Sequence, residues 1–181
     1  MATRLFGAPI KRNEDPRLLT GQALFVDDVE LPGLLHVAFL RSPFGHAKLG
    51  AIDVEAARAL PGVAAVYTAD DLGDYWKPGP PLVPEPPIAG TVFRRRTQVP
   101  LARGKVKHTG EPIVMVVAES RYIAEDALTL INIEYDLLPA VVDMERALDG
   151  DAPRIHDDLD SNLAASVRQA KGDYEAAKAR A

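Results

Sequence analysis

Gly110-Glu111-Pro112-Ile113-Val114-Met115-Val116-Val117-Ala118-Glu119 is the stretch that decides the fold. A tight turn feeds six unbroken apolar residues, Ile113 to Ala118, and Ser120 then offers a helix start. A bilayer span needs about 20 apolar residues, so this run is too short to cross a membrane. Its β-branched side chains predict a strand buried on both faces.

Working outward, the Ser120 hydroxyl can cap a helix running to about Leu130. Ile123, Ala127, Leu130 and Ile131 fall on one face of that helix. Ile131 to Tyr135 alternates apolar and polar, the pattern of a half-buried strand. Upstream, Leu34–Leu40, Lys48–Ile52 and Val63–Thr68 read as further strands. Asp53 can cap a helix from Val54 to Leu60 that Pro61-Gly62 stops. Between Gly73 and Pro100 regular structure is not expected, because the proline-rich stretch Pro78–Pro87 lacks the donors that helices and interior strands require. Such a long loop is functional, covered by a partner, or disordered. Asp143–Leu148 suggests a short helix, and another begins at Asp173. Short helices among strands, without regular β-α-β spacing, give an α+β class with a mixed sheet and a long Pro-rich loop. The expected divisions are an extended lead-in at 1–33, the main domain at 34–150, and an acidic connector with the start of a helix at 151–181.

Composition sets limits on function. With 47% apolar and 26% charged residues in 181, the chain can build an ordinary core. A formal charge of −5 argues against nucleic acid as a main partner. The absence of cysteine excludes disulfides, thiolate zinc sites and iron–sulfur ligation by the chain itself. Residues 1–10 contain no apolar core of signal-peptide length, so the expected location is the cytoplasm. His36, His46, His108 and His156 have no metal-binding spacing; His36 reads as a core histidine and His46 as a local hydrogen-bond donor. Asp158, Asp160 and Asn162 begin like a calcium loop, but Leu163 and Gln169 stand where glycine and glutamate are needed. No GxGxxG, Walker or GxSxG sequence occurs. Glu111 reads as a turn residue whose carboxylate accepts backbone donors. The basic run Arg94-Arg95-Arg96 faces, in composition, an acidic stretch at 134–160 holding nine acids and two basic residues. These two patches are expected to be unpaired and to suit covered surfaces. Residue chemistry alone assembles no active site.

Collinear motifs carry a family resemblance over about residues 7–175. They are Arg12–Gly21, Phe25-Val26-Asp27-Asp28, Leu31–His36, Arg41-Ser42-Pro43, His46-Ala47, Pro61-Gly62-Val63, Asp70-Asp71-Leu72, Gly110-Glu111-Pro112, Ala124–Ala127 and Glu134–Ala140. In these the chain resembles the N-terminal part of the molybdenum-binding large subunit of the xanthine dehydrogenase, aldehyde oxidase and aerobic carbon monoxide dehydrogenase family, the bacterial carbon monoxide dehydrogenase type above all. Phe44-Gly45 departs from that family's usual small or polar pair. The resemblance implies an α/β-hammerhead domain with a structural and assembly role, lacking the catalytic molybdopterin-binding half. It implies no catalytic, cofactor-binding or metal-binding residue in this chain. Arg41, Ser42, Pro43, His46, Gly110, Glu111 and Pro112 become structural or interface candidates. For the complete complex it implies molybdopterin with molybdenum, [2Fe–2S] clusters and FAD. The implied partners are the remaining molybdopterin-binding domains, an iron–sulfur subunit and an FAD subunit, with no nucleic acid and no membrane span. The alternative is a stand-alone binding or carrier module, although Lys48, Lys77, Lys105, Lys107, Lys171 and Lys178 all lack the Met-Lys hairpin of a carrier.

Overall fold

The computed structural model describes residues 7–81 and 83–180. The strands are β1 (His36–Arg41), β2 (Ala47–Asp53), β3 (Val63–Tyr67), β4 (Val92–Phe93), β5 (Lys105–Val106), β6 (Pro112–Ala118), β7 (Asn132–Leu137) and β8 (Ala165–Ser166). The α-helices are α1 (Asp15–Leu19), α2 (Glu55–Arg58), α3 (Arg121–Leu128) and α4 (Tyr174–Lys178). Two compact units result, one ending at Leu34 and the other starting at Leu35.

The first unit is less extended than its composition suggests. Proline at the start of α1 supplies a preset φ where no backbone donor is needed, and a short helix forms. The described residues of this unit bury nothing, and Leu19, Leu24, Phe25, Val26 and Leu31 are all exposed.

In the second unit the decisive stretch becomes the central strand of a three-stranded antiparallel sheet in the order β1-β6-β3. Pro112 can occupy β6 because it is the first residue, where a missing N–H costs no ladder bond. Val114, Val116 and Ala118 are fully buried in one core with Ala57 of α2 and Ala124 and Ala127 of α3. The expectation of burial on both faces holds for only part of the strand: Ile113 is fully buried in that same core, but Met115 and Val117 are half-exposed. Small alanines let α3 approach the sheet closely. Ser120 starts that helix as expected, its Oγ accepting from the Ile123 N–H at 3.2 Å.

Where the sequence suggests one mixed sheet, the strands divide among three antiparallel ones. The second has the order β5-β2-β7 and shares the core through Ala47, Val106 and Ile133, and β4 pairs with β8 alone. This last pairing places a short strand within the stretch expected to be irregular. Helix α2 is shorter than Val54–Leu60, and Asp143–Leu148 gives only a 3-10 turn at Arg146–Leu148. Behind α2, Gly62 has φ +87°, and a Cβ there would lie 2.6 Å from Ile123 Cδ1, so glycine lets the chain pass beneath α3. Among the described residues, no helix is long and apolar enough to cross a membrane.

The proline-rich loop is pinned from within the unit. Trp76 Nε1–H donates to the Leu101 carbonyl at 2.7 Å, and the Arg103 guanidinium lies 4.3 Å from the Trp76 ring centroid.

Candidate functional site: a buried polar junction

Among the described residues, three polar ones are buried: Ser42, His46 and Glu111, at 2%, 5% and 6% exposure. All three belong to the candidate set, and the fold brings that set together. Arg41 is paired with Pro112 across the β1–β6 ladder, at a register shift. Its guanidinium donates to the Gly110 carbonyl at 2.9 Å. The Ser42 N–H donates to the Glu111 carbonyl at 2.9 Å, and the Gly110 N–H returns a bond to the Ser42 carbonyl at 2.8 Å. Gly110 makes this exchange at φ +85°, a conformation that costs glycine little and other residues about 1–2 kcal/mol. Ser42 Oγ donates to the Phe44 carbonyl at 2.8 Å and accepts from the Phe44 N–H at 3.1 Å, folding the turn around Pro43. Phe44, at the departure from the family pattern, packs edge-on against Tyr135 with ring centroids 4.9 Å apart.

Glu111 does what its place in a turn suggests. Its Oε2 accepts the Lys107 N–H at 2.5 Å and lies 3.7 Å from His108 Nδ1. His46 corrects the sequence reading. Its bond is not local: Nδ1 donates to the Pro139 carbonyl at 2.7 Å, 93 positions away. The Leu138 N–H donates to the His46 carbonyl at 3.0 Å, so this residue ties the end of β7 to the start of β2. The other ring nitrogen, Nε2, is buried with no hydrogen-bond partner.

Beside His46 lies an open groove of about 610 Å³, lined also by Lys48, Arg103, Lys105, Arg154 and Asp157. Three of these cations are ion-paired, Lys48 with Asp136 at 3.7 Å, Arg103 with Asp70 at 3.0 Å and Lys105 with Asp157 at 2.6 Å, and Arg154 reaches the Leu159 carbonyl at 3.5 Å.

The charged runs at 94–96 and 157–160 correct a second expectation. They are not unpaired; they pair with each other. Arg94 engages Asp160 and Arg96 engages Asp158, alongside Lys105–Asp157 and the β4–β8 ribbon. Hydrogen bonding from Lys105 and Arg94 holds the Asp157 and Asp160 carboxyls below the ordinary range. His156 is pushed down chiefly by burial, with Lys107 and Arg96 adding to the effect. The calcium-like spacing also dissolves, since the Asn162 side chain serves the backbone of Ala147, Pro153 and Ile155.

Among the described residues, no three His, Asp or Glu side chains group to hold a metal ion. With no cysteine in the sequence, the chain offers no thiolate set for an iron–sulfur cluster. The hydrogen bonds of the junction bind β1 and the turn after it to the turn before β6, and His46 fastens the start of β2 to the end of β7 through Nδ1 and its carbonyl.

Two three-stranded antiparallel sheets around one core, backed by short helices, define an α+β domain of the hammerhead kind. Residues 20–139 match the family described as aldehyde oxidase and xanthine dehydrogenase, a/b hammerhead domain, and the chain belongs to that family. It is 41% identical over 157 residues to the carbon monoxide dehydrogenase large chain of Afipia carboxidovorans, covering 87% of this chain and 18% of that one. The solved quinoline 2-oxidoreductase from Pseudomonas putida 86 superposes with a TM-score of 0.76 at 44% identity, covering 86% of this chain and 19% of the other. A copper- and molybdenum-containing carbon monoxide dehydrogenase superposes at 0.71 with 36% identity, covering 96% and 22%. The chain thus spans about a fifth of the length of the relatives it matches.

Proposed function

We propose that this chain is the hammerhead part of the large subunit of a molybdenum-dependent hydroxylase or carbon monoxide-oxidising enzyme, and that it serves assembly, not chemistry. In this reading it shapes the large subunit, packs against the molybdopterin-binding domains, and adjoins an iron–sulfur subunit and an FAD subunit in the cytoplasm. The lead-in, the main domain and the acidic connector then act as successive parts of one scaffold. One observation carries the reading: Arg41, Ser42, Gly110 and Glu111 of the family motifs bond one another and nearby backbone, and His46 spends Nδ1 on the Pro139 carbonyl while its Nε2 stays buried and unpartnered. Their role is to hold a surface in shape. Relatives named for quinoline and for carbon monoxide match this chain comparably, so substrate choice is assigned to polypeptide outside it.

The test is metal content and turnover, with and without partners. Purified chain is expected to carry no stoichiometric molybdenum and to turn over neither N-heterocycles, aldehydes nor carbon monoxide. Affinity capture through the tagged chain, in the cells that make it, is expected to bring down a molybdopterin-binding polypeptide with iron–sulfur and flavin subunits. Stoichiometric molybdopterin on the chain alone would overturn the proposal.

A further inference from the structure

An antiparallel sheet backed by helices on one side ordinarily turns polar residues to water on the other. The β1-β6-β3 sheet does not. Val37 lies opposite Val117, which lies opposite Ala65; Phe39 lies opposite Met115, which lies opposite Tyr67. Directly opposed residues share a face, as do residues two apart along a strand, so these form two adjoining apolar rows. Val37 and Phe39 are 50% and 38% exposed, and the other four are half-buried. The alternate residues Ala38, Leu40, Val114, Val116 and Val66 belong to the core with α2 and α3, so the helices occupy the opposite side. Neither row contains a charge. Arg41, at the end of β1, holds its guanidinium 5.5 Å from the Phe39 ring centroid.

We infer that this sheet face is where the domain docks on the rest of the large subunit, the occupant being an apolar surface of the molybdopterin-binding polypeptide. The inference rests on the assembly role proposed above. Two facts favour that occupant. A contiguous apolar face of this kind marks an interaction surface. The relatives carry about four-fifths of their length beyond the matched segment, and there the hammerhead is one part of a larger chain.

The sequence has no cysteine, so single cysteines report cleanly on this chain. Val37→Cys and Phe39→Cys probe the face, and Glu125→Cys on the exposed side of α3 serves as reference. Maleimide labelling is read by mass spectrometry on peptides of this chain, first alone and then in the assembly captured through its tag. In an assembly containing the molybdopterin-binding polypeptide, labelling at the two sheet positions should slow by at least about tenfold, as for groups reached only through local opening, while Glu125→Cys is unchanged. Hydroxyl-radical footprinting of Phe39, Met115 and Tyr67 in the unsubstituted chain gives the same reading without substitutions.

Unchanged labelling of the face inside such an assembly would overturn the docking surface and leave the assembly role standing. Protection in the isolated chain that grows with concentration would assign the face to a second copy. Protection that vanishes on removing residues 1–34 would assign it to the lead-in. Either result overturns the inference. Failure to capture any molybdopterin-binding polypeptide would remove the assembly role and the inference with it.

Discussion

Ser42, His46 and Glu111 are at most 6% exposed, whereas the carboxylates of Asp157, Asp158 and Asp160 are 78%, 68% and 80% exposed. Both groups join segments far apart in sequence. The first does so with hydrogen bonds from which water is excluded, and the second with ion pairs that water and salt can replace. A buried acceptor removed from its donor leaves that donor unsatisfied, at about 1–3 kcal/mol. An exposed ion pair contributes about 0–1 kcal/mol and weakens as salt rises. The junction around Ser42 is therefore built to be permanent, and the charged clasp between 94–96 and 157–160 to be reversible.

The largest effect should come from the dry side. Glu111→Ala removes the acceptor of the Lys107 N–H and is expected to cost about 1.5–3 kcal/mol, the range for hydrogen bonds to charged groups. Urea unfolding would measure it. A loss within 0.5 kcal/mol, the range of surface substitutions away from such features, would mean that the junction is no drier than the clasp.

A smaller effect is expected on the wet side. Arg96→Ala should lower global stability by no more than about 1 kcal/mol. Its local consequence should be plainer: trypsin should cut faster at Arg168 and Lys171, and raised salt should do the same to the unsubstituted chain. Cleavage indifferent to both changes would show that β4–β8 pairing, not charge, holds residues 157–171 in place.

The smallest effect is expected from mild acid. His156 is held below its ordinary value of 6.5 by burial first, then by Lys107 and Arg96, against the opposing pull of Asp158 and Glu111. As pH falls below 6.5 the unfolded chain takes up a proton that the folded chain resists, so stability declines. Asp157 and Asp160 are also depressed, so their stabilising contribution is complete above the ordinary value of 3.8 and is lost as pH falls through their folded values. Melting temperature against pH should therefore fall in two stages. His156→Gln should abolish the upper stage and leave the lower one.

Much of the architecture was legible because local rules were left undisturbed. The β-branched run at 113–117, the Ser120 cap and the alternation at 131–135 each specify an element within a few residues. Glu111 was also readable, since a carboxylate in a glycine turn has backbone donors at hand. His46 was not, because its partner at Pro139 arrives only when β7 docks on β2. A histidine after a turn carries no sign of a bond across 93 positions. The charged runs misled for a related reason. Composition shows that 94–96 is basic and 157–160 acidic, but only the β4–β8 ribbon brings them within reach of each other.

The sequence by itself determined the class: where β1, β2, β3, β6 and β7 run, where α3 starts, that no thiolate chemistry belongs to this chain, and which motif residues mark the family. Those properties follow from side-chain shape, spacing and identity, which act over a few residues. The tertiary structure alone decided that Ser42, His46 and Glu111 form the buried polar junction, that the opposite charges neutralise one another, and that one face of the central sheet remains apolar and open. These depend on register and on which sheet face the helices cover, and both are fixed only by contacts between residues distant in the chain.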